Sequence, residues 1–186
     1  MRHEEREESG TGIEEGLTDE FTMGETAAEV VDPELRLQQA LDVAYAYLAK
    51  RDRTVREVRR RLEEREVDPV SVEEALAELT DAGMLDDSRY AARFAEDRRN
   101  LDSWGASRIE RRLVAVGVAS EHIEAALHMQ EGEDEFGAAL AALRRRYADP
   151  LPDPSARERA LGYLVRKGYA MEIAYDAIRA HAREED

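Results

Sequence analysis

The feature that most constrains this 186-residue chain is an internal repeat with an offset of 51. The run Val58-Arg59-Arg60-Arg61-Leu62 aligns with Ile109-Glu110-Arg111-Arg112-Leu113, and Leu62, Leu113 and Leu164 then fall in register. So do Val67, Val118 and Tyr169; Ala75, Ala126 and Ala177; and Leu76, Leu127 and Ile178. Gly117 and Gly168 match across the same offset, with Glu66 in the first copy. This many coincidences at one offset define three copies of a unit of roughly 45–50 residues. Alternating β-patterns and Asn-Gly or Asp-Gly hairpin signals are missing, so the pattern predicts an all-α chain. A unit this small buries little surface alone and gains stability by stacking on its neighbours. The expectation is three tandem three-helix, helix-turn-helix-like repeats forming an elongated, curved array. Residues 35–85, 86–129 and 130–186 form the repeats, and residues 1–34 form a tail.

Each unit reads as three short helices. In the first, Leu37, Leu41, Ala44, Tyr45 and Leu48 have helical spacing over about Leu35 to Arg51. Thr54 with Glu57 makes a capping box for the second helix, whose inward stripe is Val55, Val58 and Leu62. Ser71 with Glu74 predicts another box, followed by the stripe Val72, Ala75, Leu76 and Leu79, with Gly83 as the stop. In the second unit Asp86 and Asp87 are N-cap candidates, and Tyr90, Ala91 and Phe94 form the buried face. Gly105 opens its middle helix, Ile109, Leu113 and Val116 point inward, Gly117 closes it, and Ser120 caps the third. In the last unit Leu140 and Leu143 point inward, and Pro154 follows Asp153 at a first helical position. Leu161, Leu164 and Val165 line its middle helix, and Ile173, Ala174, Ala177 and Ile178 pack its last. The acidic run Gln130–Glu135 is expected to be a hinge.

The net charge of −16 is unevenly placed. Residues 1–34 carry 12 acidic and 2 basic side chains, a net of −10, which leaves −6 on the remainder. With little apolar surface and strong self-repulsion, that segment is expected to be a disordered acidic tail. It serves as a solubilising extension or as a mimic of nucleic-acid charge that folds back on a basic surface. There is no cysteine, so disulfides and thiolate chemistry are excluded. No apolar run approaches the ~20 residues of a membrane span, and the amino terminus lacks a secretory signal, so a cytoplasmic protein without a membrane partner is expected. His122 and His128 lie on different helix faces, and no catalytic motif is present. The chain is therefore read as a non-enzyme with no cofactor and no metal.

The run Gly83-Met84-Leu85-Asp86-Asp87-Ser88-Arg89-Tyr90-Ala91-Ala92-Arg93-Phe94 resembles a signature of the RecX regulatory proteins, G-x-L-D-D-x-x-[FY]-A-x-x-F. Gly105, Ile109, Leu113 and Gly117 continue that pattern in order, and Tyr163 to Tyr169 is similar to the family's carboxyl-terminal segment. The resemblance covers about residues 35–182 and assigns these motif residues a mainly structural role. It implies tandem three-helix repeats. It further implies a protein that binds a RecA-type recombinase filament on single-stranded DNA and modulates it, most often by inhibition, in recombination and the SOS response; separately, a monomer is expected.

Basic side chains recur at the first turn and second helix of each repeat, while the third helix is acidic, as at Glu73, Glu74, Glu78 and Asp81. The candidates for contact with a recombinase or with DNA are Arg51, Arg53, Arg56, Arg59 and Arg60 in the first repeat. Arg98, Arg99, Arg108, Arg111 and Arg112 are those of the second, and Arg144, Arg145, Arg166 and Lys167 those of the third. A basic stripe suits a phosphate backbone or an acidic protein groove. The plainer reading of any one arginine is a solvated i, i+4 pair such as Arg60–Glu64, which contributes only about 0.2–0.5 kcal/mol. Trp104, the sole tryptophan, is expected to pack rather than to stack on bases. The alternative function is a tri-helical DNA-binding repeat protein that acts without a recombinase, and free-DNA binding is expected to be weak. A third is a helical adaptor for an unrelated partner.

Overall fold

The computed structural model describes residues 32–128, 135–147, 151 and 153–183. Residues 1–31 of the expected tail, residues 130–134 of the expected hinge and most of the proline-rich loop lie outside the described residues. Among the described residues all regular structure is α-helical. The first trio is α1 (Pro33–Leu48), α2 (Val55–Glu63) and α3 (Pro69–Asp81). The second is α4 (Asp87–Asp102), α5 (Ala106–Val116) and α6 (Ser120–His128). The third is α7 (Glu135–Arg146), α8 (Pro154–Lys167) and α9 (Met171–Arg183).

Each trio encloses its own core. Ala40, Leu41, Ala44, Val58, Leu62, Val72, Ala75, Leu76, Leu79 and Leu85 fill the first. Ala91, Ala95, Ile109, Leu113, Val116, Val118, Ile123 and Ala126 fill the second. In the third, Ala139, Leu140, Leu143, Ala160, Leu164, Tyr169, Ala174, Ala177 and Ile178 pack with Leu151. The leucines at the repeat offset, Leu62, Leu113 and Leu164, are all 0% exposed, and burial of each stabilises by about 1.5–3 kcal/mol. Alanines on the first helix of each trio contribute to all three cores. The same three leucines also end the middle helices. Their carbonyls accept from the amides of Val67 (3.2 Å), Val118 (3.1 Å) and Tyr169 (3.2 Å), a six-to-one closure that requires a left-handed residue between. That residue is Glu66 (φ 58°), Gly117 (φ 92°) or Gly168 (φ 98°).

The helix starts follow local capping chemistry, with three departures from the sequence reading. The Thr54–Glu57 capping box is present in full. The Ser71–Glu74 box is not: Asp68 caps α3 by accepting from the Ser71 amide at 3.1 Å, with Pro69 opening the helix. An aspartate followed by proline is the stronger start, and it places Ser71 inside the first turn, where it is buried. Ser120 is the first residue of α6 rather than its cap, because the Ala119 carbonyl takes the first helical bonds from His122 and Ile123. Val165 is exposed, and Ala156 and Ala160 line α8 inward with Leu164. Asp153 caps α8 through the Ala156 amide at 2.7 Å, with Pro154 next, as the sequence suggests.

Candidate functional site

The three cores are separate, so the joints between trios determine where the candidate side chains sit. Both described joints have the same construction, their bonded backbone positions displaced by 51 residues. The start of each middle helix abuts the end of the next. The Thr54 hydroxyl, fully buried, donates to the Val116 carbonyl at 2.7 Å and accepts from the Glu57 amide at 3.2 Å. Its counterpart Gly105 donates its backbone amide to the Lys167 carbonyl at 2.9 Å. One amide further on, Val55 donates to the Asp87 carboxylate at 3.0 Å, and Ala106 to the Glu135 carboxylate at 3.2 Å. The positive end of one helix dipole thus faces the negative end of the next, with a carboxylate beside each seam.

Two arginines complete the joints. Arg56 donates to the Val114 carbonyl at 3.3 Å and to the Ala115 carbonyl, and Arg108 donates to the Arg166 carbonyl at 3.1 Å. Their stems lie on Gly117 and Gly168. A Cβ at Gly117 would fall 2.7 Å from that of Arg56, and one at Gly168 would fall 2.4 Å from that of Arg108. The second joint adds Lys167 Nζ to the Asp102 carbonyl (2.6 Å) and the Tyr169 hydroxyl to the Ser103 carbonyl (3.2 Å). Burial, with nearby Glu135 acting in the same sense, pushes the Tyr169 phenol up to about 12. Burial likewise raises the Asp87 carboxyl, opposed by the bond from the Val55 amide. Asp86 and Asp87 both cap, but different helices: Asp86 accepts from the Arg89 amide of its own helix at 2.8 Å, whereas Asp87 reaches back to α2.

The arginine candidates therefore divide by what they already hold. Arg53 is mostly buried against the Tyr47 ring, 4.0 Å from its centroid, and bonds Glu57. Arg51 shares that carboxylate at 2.9 Å. Arg59 crosses to α3 and bonds Glu73, which holds the Glu73 carboxyl below its usual range. Arg60 pairs with Glu64 at 2.9 Å and is otherwise solvated. Arg98 pairs with Asp102 within α4. Arg111 donates to the Ser107 carbonyl of its own helix at 3.1 Å. Arg112 has no hydrogen bond or ion pair among the described residues and faces a cleft with Arg51, Arg93, Tyr90 and Phe94. Arg144 and Arg145 end α7, and Arg166 is exposed near the end of α8. Trp104 is half-buried, edge-on to Phe94 at 6.2 Å, with the Arg108 guanidinium 4.1 Å above its ring.

Of the motif residues, Leu85, Ala91, Ile109 and Leu113 are core, and Tyr90 and Phe94 stack at its margin with ring centroids 6.1 Å apart. The sequence reading did not identify Arg56, Arg108, Asp87 and Glu135 as ties between repeats. The available signal was the offset itself, which places Val55 and Ala106, the two amides so capped, in register. Among the described residues no group of three His, Asp or Glu side chains could hold a metal ion, and no helix is long and apolar enough to cross a membrane.

Residues 40–79 match the first three-helix domain of RecX, and residues 86–127 match its second. The regulatory protein RecX of Escherichia coli is 33% identical over 154 residues, covering 76% of this chain and 91% of the relative. That of Stenotrophomonas maltophilia is 31% identical over 135 residues, covering 72% and 82%. The crystal structure of RecX from Lactobacillus salivarius superposes with a TM-score of 0.69 over 80% of this chain and 97% of that one, at 20% identity, which supports the fold alone. The repeat, the capped helices and these relatives agree, and the chain belongs to the RecX family of regulatory proteins.

Proposed function

We propose that the protein binds a RecA-type recombinase filament assembled on single-stranded DNA and modulates it, chiefly by inhibition, without catalysing a reaction of its own. Family membership makes this the leading reading, and the arginines not committed to holding the repeats together are the structural observation that carries it. Arg112 lacks a partner among the described residues, and Arg111 holds only a carbonyl of its own helix; Arg60, at the place equivalent to Arg111 on the first repeat, is exposed and pairs only with Glu64 of the same helix end, and Arg166 is exposed near the end of α8. Cations presented at a fixed repeat interval suit a partner that is itself repetitive, as a filament is. Arg56, Arg108 and Lys167 serve the joints first, so they position the repeats that present the others. Net −6 on the repeats favours an acidic protein groove as the main determinant, with direct DNA affinity secondary.

The test adds the purified chain to a cognate recombinase on single-stranded DNA and follows ATP hydrolysis and strand exchange. Inhibition at or below stoichiometric concentration is expected, and no effect there sinks the reading. Charge reversal of Arg111 and Arg112 should weaken the effect at least tenfold while leaving helix content unchanged, a loss of about 1.4 kcal/mol. A tri-helical DNA-binding protein independent of recombinase would instead bind free DNA with sequence preference.

A further inference from the structure

At the second joint a half-open cavity of about 660 Å³ lies between α4, the start of α5, the end of α6 and α7. Its volume suits a small organic ligand. Two guanidinium groups line it, those of Arg99 from α4 and Arg145 from α7. Neither has a hydrogen bond or ion pair among the described residues. Nη1 of Arg99 is buried with no hydrogen-bond partner. A desolvated cationic donor left without an acceptor is costly, and such groups mark sites where an acceptor belongs. Around them the walls are small or flat. Ala138 and Ala141 present one face of α7 leading to Arg145, and Trp104 and Tyr169 stand opposite. Both alanines are exposed, so this face of α7 is not covered by the protein's own core. The one carboxylate among the described lining residues, Glu135, is occupied by the Ala106 amide at 3.2 Å and lies beside the positive end of α5. Among the described residues the lining is thus net cationic, with an apolar slot beside the charge.

We infer that this cavity is a nucleotide site, with Arg99 and Arg145 clamping a phosphate and the base lying on the Ala138–Ala141 face of α7. Two guanidiniums lining one cavity match the charge of a phosphate better than a single cation does. A planar apolar body fits over alanines, which leave room for a ring to approach the helix. A bare anion would leave this apolar slot unfilled, which is why the ligand is a nucleoside phosphate rather than phosphate alone. The chemistry is common to a free nucleotide and to one unit of a single strand. The site stands apart from the contacts argued for Arg60, Arg111, Arg112 and Arg166, and it does not depend on the recombinase reading.

The experiment uses the full chain without recombinase. The indole N–H resonance of Trp104, the only tryptophan and part of the cavity wall, is followed by NMR during titration with dAMP, with inorganic phosphate and with a short oligo-dA. Saturable shifts with dAMP, at least tenfold tighter than with phosphate, are expected. Tighter binding of oligo-dA per site assigns the strand as the source, and equal binding assigns the free nucleotide; both support the site. Arg99→Gln combined with Arg145→Gln should weaken dAMP binding at least tenfold while helix content and the Trp104 environment of the free protein are retained. If that variant unfolds, Ala138→Leu, which fills the slot without removing charge, should abolish dAMP binding and leave phosphate binding unchanged. The inference is overturned by the absence of any saturable shift, by dAMP binding no tighter than phosphate, by binding the folded variants retain, or by displacement of dAMP only by an acidic peptide. Inhibition of recombinase ATP hydrolysis by a variant that has lost dAMP binding separates failure of one reading from failure of the other.

Discussion

Replacing Gly105 by alanine tests the joint between the second and third trios directly. The backbone there is ordinary, with φ −80° and ψ 165°, so alanine meets no torsional objection. The obstacle is contact: the new Cβ would lie 2.6 Å from the Gly168 carbonyl carbon and oxygen and from the Tyr169 amide nitrogen, against 3.4–4 Å for an ordinary contact. All three are backbone atoms, so no side chain can rotate away, and α5 must move from α8. Overpacking of this kind costs about 1–3 kcal/mol. The separation also stretches the 2.9 Å bond from Gly105 to Lys167, worth about 0.5–1.5 kcal/mol. A total loss of about 1.5–4.5 kcal/mol follows from the two contributions. Trp104 is the adjacent residue, so urea unfolding read by its fluorescence reports the joint, and amide exchange at Gly105 and Tyr169 should accelerate. Gly83→Ala is the contrast. Its Cβ would meet nothing within 4 Å, but φ is +66°, so its cost is the left-handed conformation alone, about 1–2 kcal/mol, without faster exchange at the joint. A Gly105→Ala protein within about 0.5 kcal/mol of the parent, the range of an ordinary surface change, would refute the close-contact reasoning.

Two further outcomes follow from the first joint. Thr54→Val keeps the side-chain shape but removes a helix cap and leaves the buried Val116 carbonyl without its donor, so urea unfolding should show a loss of about 2–3 kcal/mol, and a change under about 0.5 kcal/mol would contradict the assignment. Asp87→Asn keeps an oxygen for the Val55 amide and removes a group whose folded pKa is raised. The folded parent therefore binds a proton that the unfolded chain has released, and its stability falls as pH rises from the ordinary carboxylate range through the raised value. The variant's pH–stability profile should be flatter across that interval, and parallel profiles would count against a buried carboxylate at the joint.

The fold was largely legible because helical period and repeat offset are properties of sequence spacing. Leu62, Leu113 and Leu164 could be placed in register before any contact was known, and their shared burial follows from that register. The starts of α3 and α6 were misplaced by up to three residues because serine, aspartate and a bare backbone carbonyl compete for the same amides. The candidate site was much less legible. Arg56 and Arg59 look equivalent in sequence, yet one ties two repeats together and the other pairs within its own trio. That difference depends on which carbonyls or carboxylates arrive from a distant segment, and local pattern carries no record of it. The same holds for Asp87, whose position just before a helix suggests a local cap although its carboxylate caps another trio.

Glu66 has a consequence for assembly. A surface in which the start of one unit fits the end of the next is heterologous, and such contacts propagate from molecule to molecule unless something interrupts them. The sockets that receive an arginine stem are floored by Gly117 and Gly168, where even a single methylene would collide. At the matching place on the first trio the chain carries Glu66, a left-handed residue with a full side chain where the other two trios have glycine. At the other extreme α8 is already capped by its own Asp153 and opened by Pro154. An arginine stem like that of Arg56 or Arg108 would meet a side chain rather than bare glycine at Glu66, so the end of α2 is not a socket of the kind that closes α5 and α8.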